Sequence, residues 1–108
     1  MTIDSVGIGT GMFHGTKPSD ETQIHLWIYK NFPEAKVVLH SHGKFPVLIS
    51  QFNEDFFPVQ GYEIQKGFKG CLSHLESLEI PIIDNQQDMT LLCKQLDARF
   101  ASIQQHCF

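Results

Sequence analysis

The sequence has no long hydrophobic run, because its apolar stretches are only four or five residues long in a chain of 108 residues. A membrane-spanning helix needs about 20 such residues, so none is expected. Basic residues are also scarce, with 8 Lys and Arg against 12 Asp and Glu and a net charge of −4. Nucleic acids and anionic membranes are bound through a basic face, so neither is an expected partner.

Cysteine is infrequent, and Cys71, Cys93 and Cys107 are odd in number and form no Cys-x-x-Cys pair. A disulfide framework is therefore not expected, and a reducing compartment fits better. The first ten residues are neither basic nor strongly apolar, which predicts no signal peptide. Together these features predict a cytoplasmic protein. The phosphate-binding loop, the dinucleotide fingerprint and the nucleophile elbow are also missing.

The composition is otherwise that of a globular protein, with 42% hydrophobic residues and nine phenylalanines to build a core. The length suits one small domain, so residues 1–108 are predicted to form a single domain. Strand-like and helix-like patterns alternate, which indicates an α/β fold. The predicted strands lie over 1–7, 36–42 and 77–83, with an extended segment over 56–59. Two longer helices are predicted, one over 19–32 that Ser19 caps and one that Asp84 and Asn85 cap and that continues to 103. Two short helices are predicted over 45–51 and 61–69.

The most specific chemical signal is the pair His40 and His42, at the end of the predicted strand over 36–42. Side chains at positions i and i+2 of a strand point to the same face, so both imidazoles can reach one metal ion. Imidazole ligands suit zinc, and also iron, nickel and copper. The alternative is a pair of histidines that are exposed or hydrogen-bonded at a strand end, and spacing alone does not decide between the two.

A catalytic zinc site normally has three protein ligands and one open position, so two histidines are too few. Spacing does not choose the third ligand among the carboxylates and the other histidines, which are His14, His25, His74 and His106. Glu63 is a candidate acid/base if it lies near the metal, but a solvated helix residue has the same pattern. Glu21 equally suits a contact with the positive end of the helix dipole.

Several motifs in the same order resemble the class II aldolase/adducin family. The upstream ones are Lys17-Pro18-Ser19-Asp20-Glu21-Thr22, His25, Phe32-Pro33-Glu34-Ala35 and Val37-Val38-Leu39-His40-Ser41-His42. Two downstream segments are similar to the methylthioribulose-1-phosphate dehydratase branch of that family; they are Gly61-Tyr62-Glu63-Ile64-Gln65-Lys66 and the segment over 80–88. The resemblance covers about residues 17–96, most of the chain.

The resemblance implies a three-layer fold, in which helices flank a central β-sheet, and a zinc-dependent lyase of methionine salvage and methionine biosynthesis. Such enzymes remove water from the sugar phosphate 5-methylthioribulose 1-phosphate to give a diketo phosphate. By the same resemblance, His40 and His42 are Zn²⁺ ligands and Glu63 is the catalytic acid/base. Glu21 is the alternative, since it matches the acid/base position of the sugar-phosphate aldolases. Members are cytoplasmic and commonly homotetrameric, so a homo-oligomer is expected.

Two segments of the family pattern find no match in this chain. Members carry an upstream glycine- and serine-rich segment that holds the substrate phosphate, and a downstream His-Gly motif that supplies the third zinc ligand. We therefore expect a partial domain, truncated at both ends and inactive if those parts are essential. Two alternatives stay open, namely a class II aldolase acting on another sugar phosphate and a non-catalytic, adducin-like interaction module.

Overall fold

The structure is a computed structural model that describes residues 2–52 and 54–106, with the side chains described up to residue 104. Its backbone divides into two compact units, Met1–Leu39 with Gln86–Lys94 and His40–Asn85 with Gln95–Phe108. No helix in these described ranges is both long enough and apolar enough to cross a membrane. The elements are the helices α1 (Thr22–Asn31), α2 (Lys44–Ile49), α3 (Met89–Ala98) and α4 (Phe100–His106), the strands β1 (Phe56–Val59) and β2 (Leu78–Pro81), and the 3-10 helices Gly11–Phe13 and Glu63–Gly67.

The first unit opens with a tight turn, where a strand over 1–7 was expected from the sequence. The Asp4 carboxylate accepts hydrogen bonds of 2.9 Å from the backbone N–H groups of Val6 and Ile8. Gly7, with a φ of 87°, takes the left-handed conformation that glycine tolerates best. An isolated antiparallel bridge between Ile3 and Gly9 is all that remains of the predicted strand. The prediction is wrong because the Asp4 side chain competes for the backbone donors. Met1 lies outside the described residues.

Helix α1 confirms the helix predicted before Pro33 and contributes the core of the first unit. Trp27 and Phe32 are 8% and 5% exposed, and their rings meet edge to face with centroids 6.2 Å apart. Edge-to-face packing is a favourable arrangement of aromatic rings. The predicted cap at Ser19 is wrong, because the helix begins after Glu21 and has no side-chain capping bond. The Ser19 hydroxyl instead donates a hydrogen bond to the Glu21 carboxylate.

The predicted strand over 36–42 is also wrong, since residues 35–43 have no regular secondary structure. Val37 is 70% exposed and Leu39 is 90% exposed. A strand needs a neighbour whose backbone satisfies its N–H and C=O groups. Within the described ranges the one ladder between named strands joins β1 to β2, so an apolar, β-branched pattern at residues 36–39 is not enough to form a strand.

The second unit is built on the antiparallel hairpin of β1 and β2, which confirms the extended segments predicted at 56–59 and 77–83. Phe56 pairs with Pro81 and Val59 with Leu78. Leu78 is only 2% exposed, and α4 packs against β2. A lone two-stranded hairpin is marginally stable in water, so this packing contributes to its stability. The short helix predicted over 45–51 is confirmed by α2, and the one over 61–69 is a 3-10 helix.

The long C-terminal helix predicted from the sequence is divided at Arg99 into α3 and α4. Its predicted caps, Asp84 and Asn85, are wrong because α3 begins only at Met89. Asp88 performs the capping, since its Oδ1 accepts hydrogen bonds from the backbone N–H groups at 90 and 91, at 2.8 Å and 3.3 Å. Overall, the chain has a mixed helix and strand composition with a two-stranded sheet in its described residues.

Candidate metal and acid/base site

The two histidines of the His-x-His motif lie directly before helix α2. His42 precedes Gly43, which is the N-cap of α2 and whose carbonyl accepts a hydrogen bond of 3.1 Å from the N–H of Val47. Both His40 and His42 are exposed. The side chains are therefore accessible to an ion from solvent.

The imidazole rings of His40 and His42 lie side by side, with centroids 4.6 Å apart and planes tilted by 53°. Two imidazoles on one zinc ion each place a nitrogen about 2.0–2.1 Å from the metal. Rings in van der Waals proximity with tilted planes suit that arrangement. The donor set, two neutral imidazole nitrogens, is also one that zinc prefers. The residues present therefore fit a metal ion, although the strand geometry used to predict their pairing is absent.

Glu63 is the first residue of the 3-10 helix Glu63–Gly67, and its side chain is 72% exposed. Its Oε2 lies 2.7 Å from Nζ of Lys66, and its Oε1 lies 3.2 Å from Nδ1 of His74. These ion-pair partners differ from the two motif histidines. Thus the structure brings His40 to His42, and it brings Glu63 to His74.

The loop that carries Glu63 is organised by a buried amide, Gln65, whose side chain is 0% exposed. Its Oε1 accepts a hydrogen bond of 3.0 Å from the backbone N–H of Tyr62. Its Nε2 donates to the carbonyl oxygens of Ser73 and Glu76, at 3.3 Å and 2.6 Å. The Sγ of Cys71 lies 3.6 Å from the same nitrogen. A buried polar group is tolerated when its hydrogen bonds are satisfied, as they are here.

Glu21, the alternative acid/base candidate, stands at the start of α1 in the first unit. Its carboxylate accepts a hydrogen bond from the Ser19 hydroxyl. One residue away, Asp20 raises the pKa of Lys17 above its ordinary value through a hydrogen bond and an ion pair of 2.9 Å. Both of those side chains are largely exposed, so their pairing contributes little to stability.

Among the remaining histidines, His74 has an ion-pair partner, Glu63. His14 is exposed and follows the first 3-10 helix. His25 lies within α1. The side chain of His106 is outside the described side chains, and Cys107 is outside the described residues.

Sequence reasoning missed Gln65 and the pairing of Glu63 with His74. Glu63 and His74 are 11 positions apart, a spacing that no helical or strand period connects. In the sequence, the acid nearest to His74 is Glu76, two residues away. The Oε1 of Glu76 instead accepts a hydrogen bond of 3.2 Å from the N–H of Leu72. A polar residue between Ile64 and Lys66, in a segment with glycine at both ends, was the one available signal.

The sequence that carries these residues matches a known family. The class II aldolase and adducin N-terminal domain family matches residues 2–107, and this chain belongs to that family. The family resemblance read from the motifs is therefore confirmed.

Individual relatives narrow the comparison. A methylthioribulose-1-phosphate dehydratase from Picosynechococcus sp. is 36% identical over 110 residues, which cover 100% of this chain and 52% of the relative. A protein of the same name from Klebsiella pneumoniae is 43% identical over 83 residues, covering 76% of this chain and 41% of the relative. One from Pseudoalteromonas translucida is 47% identical over 77 residues, covering 69% and 36%. The chain spans about half the length of the curated relatives it matches. No solved structure matches it.

Proposed function

We propose that this chain is part of a metal-dependent hydro-lyase that removes water from 5-methylthioribulose 1-phosphate to give a diketo phosphate, a step of methionine salvage. The observation that carries the proposal is the side-by-side pair of imidazoles, 4.6 Å between centroids, in a chain whose relatives bear the name of this dehydratase. The runner-up functions are a class II aldolase for another sugar phosphate and a non-catalytic, adducin-like module.

The metal that we propose is Zn²⁺, held by the neutral imidazole nitrogens of His40 and His42. Both side chains are exposed, and their tilted rings suit two positions of one coordination shell. When bound, the ion would act as a Lewis acid that polarises oxygen atoms of the sugar phosphate. Catalytic zinc takes three protein ligands, so these residues provide two of them.

Glu63 is the residue that we propose as the acid/base. Loss of water from a hydroxy ketone removes a proton from the carbon beside the carbonyl, and the hydroxyl of the next carbon leaves with a proton as water. The enol that results becomes the second carbonyl. A single carboxylate serves both transfers, because it accepts the carbon-bound proton and returns one to the leaving oxygen. Glu63 is 72% exposed, which leaves its carboxylate accessible to a substrate. Glu21 is the alternative for this role.

We propose the rest of the family's architecture for the whole protein. The helices and the hairpin described above would be part of a three-layer arrangement, in which helices flank a larger central sheet. We also propose a cytoplasmic homo-oligomer, commonly a tetramer in this family. Val37 and Leu39, which are 70% and 90% exposed, support an oligomer or a larger sheet, because exposed apolar side chains next to a candidate site are commonly covered by a neighbour.

The decisive experiment combines metal analysis with a reaction assay. We expect the purified chain to hold about one zinc ion, a stoichiometry that follows from one pair of ligands per chain. His40→Ala/His42→Ala should remove the bound zinc, whereas His14→Ala, a matched change at an exposed histidine, should not. Incubation with 5-methylthioribulose 1-phosphate and a trap for vicinal diketones should then detect the product with the zinc-loaded chain.

The outcomes separate the candidate functions. A folded chain that binds no zinc would contradict both enzymatic proposals and favour the adducin-like module. A zinc-loaded chain that cleaves a carbon–carbon bond of a sugar phosphate, and yields no diketone, would favour the aldolase. Formation of diketone by the double histidine variant at the rate of the unmodified chain would contradict the metal proposal.

A further inference from the structure

The candidate acid/base Glu63 lies on a segment that is joined to a second segment, residues 71–76, by hydrogen bonds to the carbonyl groups of His74 and its neighbours. The N–H of Gly61 donates a hydrogen bond of 2.8 Å to the carbonyl oxygen of His74. The side chain of Gln60 donates one of 2.7 Å to the carbonyl oxygen of Leu75. Gly61 has a φ of 89°, which places it in the left-handed region that favours glycine and lets its N–H face the second segment.

The buried amide of Gln65 completes this fastening from the other side of Glu63. Its Nε2 donates to the carbonyl oxygens of Ser73 and Glu76, which flank His74. Gln65 is 0% exposed, so its hydrogen bonds are protected from competition with water. Four consecutive carbonyl groups, 73–76, thus receive donors from residues 60, 61 and 65. We call the two joined segments the 60–76 clasp.

The clasp holds the two oxygens of the Glu63 carboxylate between two different donors. Lys66, one turn further along the same 3-10 helix, lies 2.7 Å from Oε2. His74, on the opposite segment, directs Nδ1 to within 3.2 Å of Oε1. An Nδ1–H group at this distance donates a hydrogen bond to a carboxylate oxygen. The direction of Oε1 is therefore set by a residue whose own backbone is fixed by the clasp.

These contacts contribute little to stability on their own account. Glu63 is 72% exposed, Lys66 is 45% exposed and His74 is 43% exposed. Solvent screens ion pairs between exposed side chains, so such pairs add little to the free energy of unfolding. The buried amide of Gln65, which has four partners, thus fixes the positions of two exposed side chains, Glu63 and His74. Orientation of the carboxylate, more than stability, is what this arrangement provides.

We infer that His74 is a positioning residue, which holds Oε1 of Glu63 in the direction needed for proton transfer, and that the buried Gln65 amide maintains this pairing. The inference rests on the proposed function, because it takes Glu63 to be the acid/base. His74 acts through Glu63 and need not touch the substrate. The Glu63 carboxylate in turn fixes the tautomer of the His74 imidazole, because the ring nitrogen that faces the carboxylate is the one that carries the proton.

The first test reads the geometry without any reaction. In the unmodified chain, ¹⁵N imidazole shifts of His74 should report the Nδ1–H form whenever the ring is neutral. In Glu63→Ala the population should shift to the Nε2–H form, which is usual for an unpaired neutral histidine. Glu79→Ala, a change at an exposed glutamate on β2, is the matched control and should leave the shifts unchanged. An Nε2–H form in the unmodified chain, or no response to Glu63→Ala, would overturn the pairing.

The second test uses dehydratase turnover by the zinc-loaded chain. His74→Ala should lower kcat by roughly 10- to 100-fold, with KM changed by less than about threefold, because orientation and not binding is lost. His74→Asn should recover most of the loss, since the Asn Nδ2 donor occupies about the place of the His Nδ1 donor. His14→Ala should behave as the unmodified chain.

The failure of this inference is distinct from the failure of the proposed function. An unmodified, zinc-loaded chain that does not turn over the substrate would contradict dehydratase activity in this chain and, with it, the role of His74 in turnover, while the tautomer measurement would still report the pairing of His74 with Glu63. Turnover that His74→Ala leaves unchanged would overturn the positioning role alone. A loss that His74→Asn does not recover, combined with a lower melting temperature, would assign His74 a structural role only.

Discussion

The segment before α2 and the 60–76 clasp carry the two kinds of candidate residue, and they are built in opposite ways. His40 and His42 lie in a stretch without regular secondary structure and are exposed. Glu63 is also exposed, but it lies on a loop that is tied by a fully buried side chain, Gln65. A metal ion can itself order its ligands, because binding adds free energy as the site forms. A proton-transferring carboxylate has no such aid, so the protein must fix its direction in advance.

The largest expected effect separates these two regions by chemistry. Glu63→Gln should lower kcat by about 10²- to 10⁴-fold, the usual contribution of a general acid/base. The bound zinc should remain at the level of the unmodified chain, because Glu63 pairs with Lys66 and His74 and not with the motif histidines. Steady-state assays and metal analysis of the same preparations measure both quantities.

Glu21→Gln is the companion variant, since Glu21 is the alternative acid/base. Retention of activity by Glu63→Gln together with its loss in Glu21→Gln would exchange the two assignments. Glu79→Gln, at an exposed position on β2, is the control for removing a surface charge.

The second effect is the stability that zinc adds to the chain through His40 and His42. Zinc that binds the folded chain alone should stabilise it by about 2.7 kcal/mol at a free concentration of about 100 times the Kd. For a chain of this size the melting temperature should rise by roughly 10–20 °C. His40→Ala/His42→Ala should abolish the rise, whereas Gln65→Ala should lower the starting temperature and keep the rise. Calorimetry with and without zinc measures it, and an undiminished rise in the double histidine variant would place the metal elsewhere.

The third effect concerns the clasp. Gln65→Ala removes the partner of the Tyr62 N–H and of the Glu76 carbonyl, and one of the partners of the Ser73 carbonyl. A group left without a partner away from water costs about 1–3 kcal/mol, and these groups are partly buried, so the free energy of unfolding should fall by roughly that amount in total. Gln65→Glu, nearly identical in shape, should cost more, because it buries a charge and loses the two donors. Urea unfolding measures both variants. Equal stability of Gln65→Ala and the unmodified chain would contradict the clasp.

Gln60→Ala is the matched control for this third effect. It removes a similar amide that donates a single hydrogen bond, to the carbonyl of Leu75, from an exposed position. Water can replace that donor, so the cost should be smaller than for Gln65→Ala.

The sequence predicted more about the segment with the two histidines than about the 60–76 clasp. The His-x-His motif and the family were recognisable from residue types and order, because ligation depends on the ligands themselves. The strand expected to carry the motif does not form, since strand pairing depends on distant segments that local pattern does not reveal. Helix α1, with apolar residues three and four apart, and β1, with its apolar run, were predictable because their signals are local.

The clasp was not predictable, because its contacts join residues 60–65 to residues 73–76 by hydrogen bonds that have no period. Gln65 has the composition of a surface residue, and only the folded loop shows that it is the most buried side chain described. The predicted N-cap of α3 was wrong for a related reason. Asp84, Asn85 and Asp88 are all suitable capping residues, and Asp88 is the one used because the helix begins only at Met89.

The smallest expected effect is a pH dependence of stability that comes from Asp4. It distinguishes the loop organised by the charged Asp4 side chain from the loop organised by the neutral Gln65 side chain. Asp4 bonds the backbone N–H groups of Val6 and Ile8 in the first unit, as Gln65 bonds backbone groups in the second. Asp4 is charged, and these backbone hydrogen bonds, that of Ile8 foremost, lower its pKa below the ordinary value of 3.8. Gln65 is a neutral amide and does not titrate.

The sign of the resulting pH dependence follows from linkage. A carboxyl whose pKa is lower in the folded chain stabilises it above the unfolded pKa, and this stabilisation is lost as the pH falls through the folded value. The free energy of unfolding should therefore decline slightly below pH 3.8 because of Asp4. Asp4→Asn should remove that part of the decline, while Asp84→Asn, at an exposed position, and Gln65→Ala should keep it. Urea unfolding between about pH 2 and pH 6 measures how the free energy of unfolding changes with pH in each variant. The same pH dependence in Asp4→Asn as in the unmodified chain would contradict this account. The stability of the turn would then not depend on the charge of Asp4.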